Sequence, residues 1–99
     1  MPRPKHAAHP DANQAEIVEG LRGCGYLVLD CSQWAEVFDL AVWGLNWYVN
    51  ANRWVLMEVK TRRGRLTLAQ EAFQREHPGA VHVVRNLEDA LRCFGRTVG

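Results

Sequence analysis

The chain has 99 residues, a length that suits one domain built on one modest core. Its 47% hydrophobic and 23% charged residues are ordinary for a soluble globular protein, and no apolar run approaches the ~18–20 residues of a membrane span. The net charge of +1 excludes a uniformly basic or acidic chain, yet the charges are unevenly placed: residues 1–59 hold 4 basic and 7 acidic side chains, and residues 60–99 hold 8 basic and 4 acidic.

The opening MPRPKHAAHPD is polar and has no signal-peptide core, so residues 1–10 are expected to form a flexible arm ahead of a single domain over 11–99. Pro10 and Asp11 mark a helix start, with Gln14 three places after Asp11. Ile17, Val18 and Leu21 form its apolar stripe, and Gly23 or Gly25 can end it. Three apolar strands are predicted next, at 26–31, 37–44 and 53–60. Asn46, Asn50 and Asn52 lie between the last two and suit a hairpin turn. After the loop TRRGR, Thr67 opens a helix to about Glu76, with Leu68, Ala72 and Phe73 on one side and Pro78-Gly79 as its stop. A fourth strand follows at 80–84. Asn86 caps a last helix whose Leu87, Ala90, Leu91 and Phe94 follow helical spacing.

The order is therefore αβββαβα. It implies an α/β fold with a mixed four-stranded sheet: an antiparallel meander, then a crossover through the second helix, with helices over both faces. Cys24, Cys31 and Cys93 are odd in number and form no CxxC, which points to reduced thiols and a cytoplasmic setting. The histidines are scattered, and His6 and His9 lack partners at zinc-site spacing.

The third strand poses the chemical question. It ends in Glu58 and Lys60, whose side chains return to one face about 6.5–7 Å apart. Burying charge there is costly unless it is paired or bound to a metal. Asp39 sits among Phe38, Leu40 and Val42 in the neighbouring strand. Two carboxylates are hard oxygen ligands that suit Mg²⁺ or Mn²⁺, and Lys60 adds a cation that can orient a water. Glu16 lies off the apolar stripe of the first helix, and Gly20, one turn on, is expected to leave room beside it. Lys60, Arg62, Arg63 and Arg65 fall within six positions and can meet phosphates.

FDLAV followed by MEVK resembles the Asp…Glu-x-Lys core of the PD-(D/E)XK nuclease superfamily. RLTLAQEAF and HVVRNLEDAL resemble its VRR-NUC and Holliday-junction-resolvase-like branch, so that the likeness covers roughly residues 11–94. It implies a restriction-endonuclease-like fold and a Mg²⁺- or Mn²⁺-dependent endodeoxyribonuclease of bacterial or phage origin, acting on DNA that includes branched forms, and as a homodimer. Position by position it implies a catalytic set of Glu16, Asp39, Glu58, Lys60 and Gln70. Asp39, Glu58 and the Val59 carbonyl would hold the metal, and Arg62, Arg63, Arg65 and Arg85 would contact DNA. Phe38 stands where many members have proline.

Each position also has a plainer reading. Glu16 suits a helix surface and Glu58–Lys60 a strand-end ion pair. Gln70, three places after Thr67, suits a capping box, and Arg85 suits a surface. A non-catalytic DNA-binding or assembly module that keeps the fold is the alternative. Trp34, Trp43, Trp47 and Trp54 suit packing, and a dimer surface as well.

Overall fold

In the computed structural model, which describes residues 12–97, the elements follow the order α1 (Ala12–Gly23), β1 (Leu27–Asp30), β2 (Leu40–Asn46), β3 (Ala51–Val59), α2 (Leu68–Glu76), β4 (Val81–Val84) and α3 (Leu87–Arg92). This is the αβββαβα order expected from the periodicities. The expected N-terminal arm, the helix start at Pro10–Asp11, His6 and His9 lie outside the described residues. No helix among those described is long and apolar enough to cross a membrane.

The sheet runs β1-β2-β3-β4, antiparallel across the first two pairings and parallel between β3 and β4. The parallel pairing follows from the crossover through α2, because a tight hairpin can join only antiparallel strands. Asn46 and Asn50 build the hairpin between β2 and β3. The Asn46 side chain accepts the Tyr48 N–H at 2.9 Å, and Asn50 takes a left-handed conformation with φ 54°.

Strand alternation divides the sheet into two unlike faces. Val28, Leu40, Val42, Val55, Met57, Val59 and Val84 point to one face and join Ile17, Val18 and Leu21 of α1 and Ala90 and Leu91 of α3 in the core. The opposite face carries Leu27, Leu29, Trp43 and Trp54, all substantially exposed. Helices over both faces were expected. Of these helices, α1 and α3 pack on each other and on one face. Along α2, Leu68 is 84% exposed, Ala72 and Phe73 are half-buried, and Gln70 is the buried residue.

Two glycines mark close approaches. A Cβ at Gly20 would fall 2.5 Å from a Leu87 methyl, so this position lets α3 seat on α1. The expectation that Gly20 leaves space beside Glu16 is thereby corrected: Leu87 fills that space. At Gly44 a Cβ would fall 2.1 Å from the Tyr26 ring, which is itself held against Phe94 at a centroid distance of 4.5 Å. The three cysteines are free thiols, as expected. Burial, and then the nearby Asp89, pushes the Cys93 thiol up to about 11.

These contacts differ in how much they can yield. Leu87 is a partly buried, flexible side chain, whereas Tyr26 is 7% exposed and locked by its neighbour. Gly44→Ala is therefore expected to cost about 1–3 kcal/mol through overpacking. Gly20→Ala should cost distinctly less, since leucine can rotate away and alanine favours the helix. Thermal melts of the two variants check the order; equal losses would show that Tyr26 moves as freely as Leu87.

Candidate active site

The site is assembled where β2 begins and β3 ends. Asp39 precedes the first residue of β2, a correction to its expected place inside the strand, and it is fully buried. Its backbone N–H donates to the Met57 carbonyl at 2.8 Å, and its carbonyl accepts the Cys31 N–H at 2.7 Å. One side-chain oxygen, Oδ2, accepts the Val59 N–H at 2.8 Å. A buried N–H without a partner costs about 1–3 kcal/mol, so this carboxylate closes a gap in the ladder where the regular β2–β3 pairing stops.

Glu58 is 1% exposed and faces away from the core residues Met57 and Val59 on either side of it. Lys60, one residue past the strand, places its Nζ 3.3 Å from Glu58 Oε2, with its side chain 12% exposed. The expected acid–base juxtaposition is present. Lys60 donates its own N–H to the Val84 carbonyl at 3.0 Å, on the β4 side. Backbone groups of successive strand residues point to opposite sides, so the Val59 N–H and carbonyl both point toward Asp39. Asp39, Glu58, the Val59 carbonyl and Lys60 thus gather around one strand end.

The remaining expected residues fall elsewhere or have other occupations. Glu16 is exposed, in a shallow depression with Ala12, Asn13, Ala15 and Glu19 on the outer side of α1. Among the described residues no group of three or more Asp, Glu, His and Cys side chains gathers as a metal site, so Glu16 does not complete one with Asp39 and Glu58. The α1 residue that reaches the strand end is Asn13, whose side-chain amide donates to the Lys60 carbonyl at 3.0 Å. A signal for it existed. Asn13 lies four residues before Ile17 and hence on the packed side of the helix.

Gln70 completes both halves of a capping box. Its Oε1 accepts the Thr67 N–H at 2.9 Å, and its N–H donates to Thr67 Oγ1 at 3.1 Å. Arg85 turns inward on the arginine loop. Its Nη1 donates to the Thr61 carbonyl at 2.6 Å and the Gly64 carbonyl at 2.7 Å, with Arg62 O at 3.4 Å. Arg85, expected to contact DNA, holds through Nη1 the loop from which the exposed Arg62, Arg63 and Arg65 project.

No family model, curated protein or solved structure matches this chain.

Two substitutions separate the structural duties of these residues from any chemistry. Asp39→Asn keeps an oxygen for the Val59 N–H and should stay folded, whereas Asp39→Ala should lose about 1–3 kcal/mol more in urea unfolding. Arg85→Lys retains the charge but loses the guanidinium that spans several carbonyls. Trypsin should then cut the 62–65 loop several-fold faster than in the wild-type chain. Unchanged cleavage would mean that the loop holds its shape without Arg85.

Proposed function

We propose that the chain is a metal-dependent endodeoxyribonuclease whose reacting centre lies at the end of β3. The observation that carries the reading is the convergence of two fully buried carboxylates, Asp39 and Glu58, with Lys60 at 3.3 Å from one of them. This is the residue set of the PD-(D/E)XK resemblance. The donors suit a hard cation: carboxylate oxygens of Asp39 and Glu58, with the Val59 carbonyl directed to the same side. Mg²⁺ or Mn²⁺ held there would polarise a phosphate and lower the pKa of a bound water.

The chain's own residues have distinct tasks in this reading. Asp39 engages the Val59 N–H through Oδ2 and places its carboxylate at the strand end. Lys60 orients the attacking water and offsets charge that builds on the phosphate oxygens. Water oxygen bonds to phosphorus in line with the departing sugar oxygen, the P–O bond breaks, and that oxygen leaves with a proton. Arg62, Arg63 and Arg65 neutralise phosphates away from the reacting centre, on a loop shaped by Arg85. Branched DNA and a plain duplex present the same phosphates to such a site.

The second reading, a DNA-binding or assembly module without catalysis, is favoured by the structural bonds of three expected site residues. Asp39 serves Val59, Gln70 serves Thr67, and Arg85 serves the loop. Cleavage decides between the two. A panel of labelled duplex, nicked, flapped and four-way DNAs should be cut in Mg²⁺ or Mn²⁺ and left intact in EDTA.

Lys60→Ala should lower the single-turnover rate about 100-fold or more while binding changes little. Replacing the three loop arginines with alanine should weaken binding and reduce its salt slope by about 0.9 per lost duplex contact. Salt-sensitive binding with no cleavage of any substrate would support the module instead. Full activity in EDTA would sink the metal assignment.

A further inference from the structure

β1 stops one bonded pair short of the length that β2 offers it. The register sets Leu27 opposite Trp43 and Asp30 opposite Leu40, and just past that end the Cys31 N–H donates to the Asp39 carbonyl at 2.7 Å. Bonded pairs alternate along an antiparallel ladder, so Leu29–Ala41 and Leu27–Trp43 are the next two of the set. The one after them would be Gly25 with Leu45, and it does not form. Gly25 turns away at φ 94°, and its N–H donates to the Arg22 carbonyl at 3.0 Å. The Leu45 N–H and carbonyl therefore point away from β3 with no backbone partner among the described residues.

They open on a cleft of about 530 Å³ whose walls include Tyr26, Trp43, Trp47, Asn52 and Arg96. Trp43 and Trp47 are both exposed and offer ring surface. The Arg96 guanidinium lies over the Tyr26 ring, 5.8 Å from its centroid. Among the described residues no carboxylate forms an ion pair with it. The cleft thus combines flat aromatic walls, one cation, and a donor and an acceptor side by side on one strand edge.

We propose that this cleft binds one nucleotide unit whose base is unpaired. The pairing edge of a nucleobase carries a donor beside an acceptor, which matches what Leu45 presents. The faces of the base suit the indoles, since stacking on aromatic rings accepts any base. The phosphate meets Arg96, whose planar fork bonds two phosphate oxygens at once. Inside a duplex the pairing edge is occupied and both faces are covered, so the chemistry selects an unpaired unit, free or within a strand. An extended peptide is the poorer fit. It needs a run of open backbone groups, whereas the Trp47 N–H, two residues on, is taken by the Phe94 carbonyl at 2.8 Å.

The site stands apart from the nuclease reading. Leu45 lies six residues from Asp39, about 20 Å along an extended strand, so the cleft and the acid–base pair occupy opposite ends of β2. Its test therefore needs no cleavage. Adenosine monophosphate titrated into the nitrogen-15-labelled full chain should give saturable shifts at the Leu45 amide and at the Trp43 and Trp47 indole N–H groups, and none at Lys60 or residues 62–65. Arg96→Gln should weaken adenosine monophosphate about 10-fold and leave adenosine unchanged, because it removes the phosphate contact alone. Trp47→Ala should weaken both ligands about 10-fold through lost stacking.

Should a variant fail to fold, ligands compared on the wild-type chain take its place. Adenosine monophosphate should bind more tightly than either adenosine or ribose 5-phosphate, each of which lacks one of the contacts. A single-stranded tetradeoxyadenylate bound more tightly than the mononucleotide would assign the unit to a strand, and weaker or equal binding would assign it to a free nucleotide; the site holds in both cases. Absence of saturable shifts with either ligand, shifts centred on residues 60–65, or ribose 5-phosphate bound as tightly as adenosine monophosphate would overturn the proposal. So would a folded Arg96→Gln variant that binds adenosine monophosphate as the wild type does.

Discussion

The hydrogen bond from the Val59 N–H to Asp39 Oδ2, 2.8 Å long and sealed from solvent, governs the geometry of the candidate site. It forms where the β2–β3 ladder runs out of regular backbone partners. A carboxylate takes the place of a carbonyl there, and it brings negative charge to the strand end. The same bond fixes the orientation of the 58–59 backbone, which sends Glu58 to the face opposite the core and directs the Val59 carbonyl toward Asp39.

Lys60 is fixed from several directions at once. Its N–H is bonded to Val84 of β4, its carbonyl is bonded by Asn13 of α1, and its ammonium faces Glu58. Arg85, the residue after β4, then braces the loop that follows. Residues of α1 and of the end of β4, distant in sequence, therefore converge on Lys60 and Thr61. Such bracing is what keeps a functional constellation within the fraction of an ångström that chemistry demands. It also fits the simpler task of ending a central strand without loose backbone groups.

Periodicity made the fold legible to the level of element order, because each strand and helix carries an apolar pattern of its own. The apolar side of α2 was legible only in part: Leu68, Ala72 and Phe73 share helical spacing, yet Leu68 is exposed and Gln70 is the buried residue. The capping box on Thr67 and Gln70 could be read from spacing alone, and it formed. Glu58 and Lys60 were legible for a similar reason, since alternation along a strand is rigid. Arg85 was not, because its partners are backbone carbonyls, which every sequence carries everywhere, and Asn13 showed only through its helical spacing from Ile17. The same blindness made Glu16 look eligible: its position relative to the site depends on the rotation of α1, which Ile17, Val18 and Leu21 set by burying their own side.

The two faces of the sheet place unlike demands on one set of strands. The inner face is closed by α1 and α3 and supplies the core. The outer face holds the buried Glu58 at one end and the exposed Trp43–Trp54 pair further along β3. Trp54 and Glu58 are four residues apart, about 13 Å along an extended chain. The tryptophan pair and the acid–base pair therefore share one strand and one face, whichever chemistry the acid and base perform.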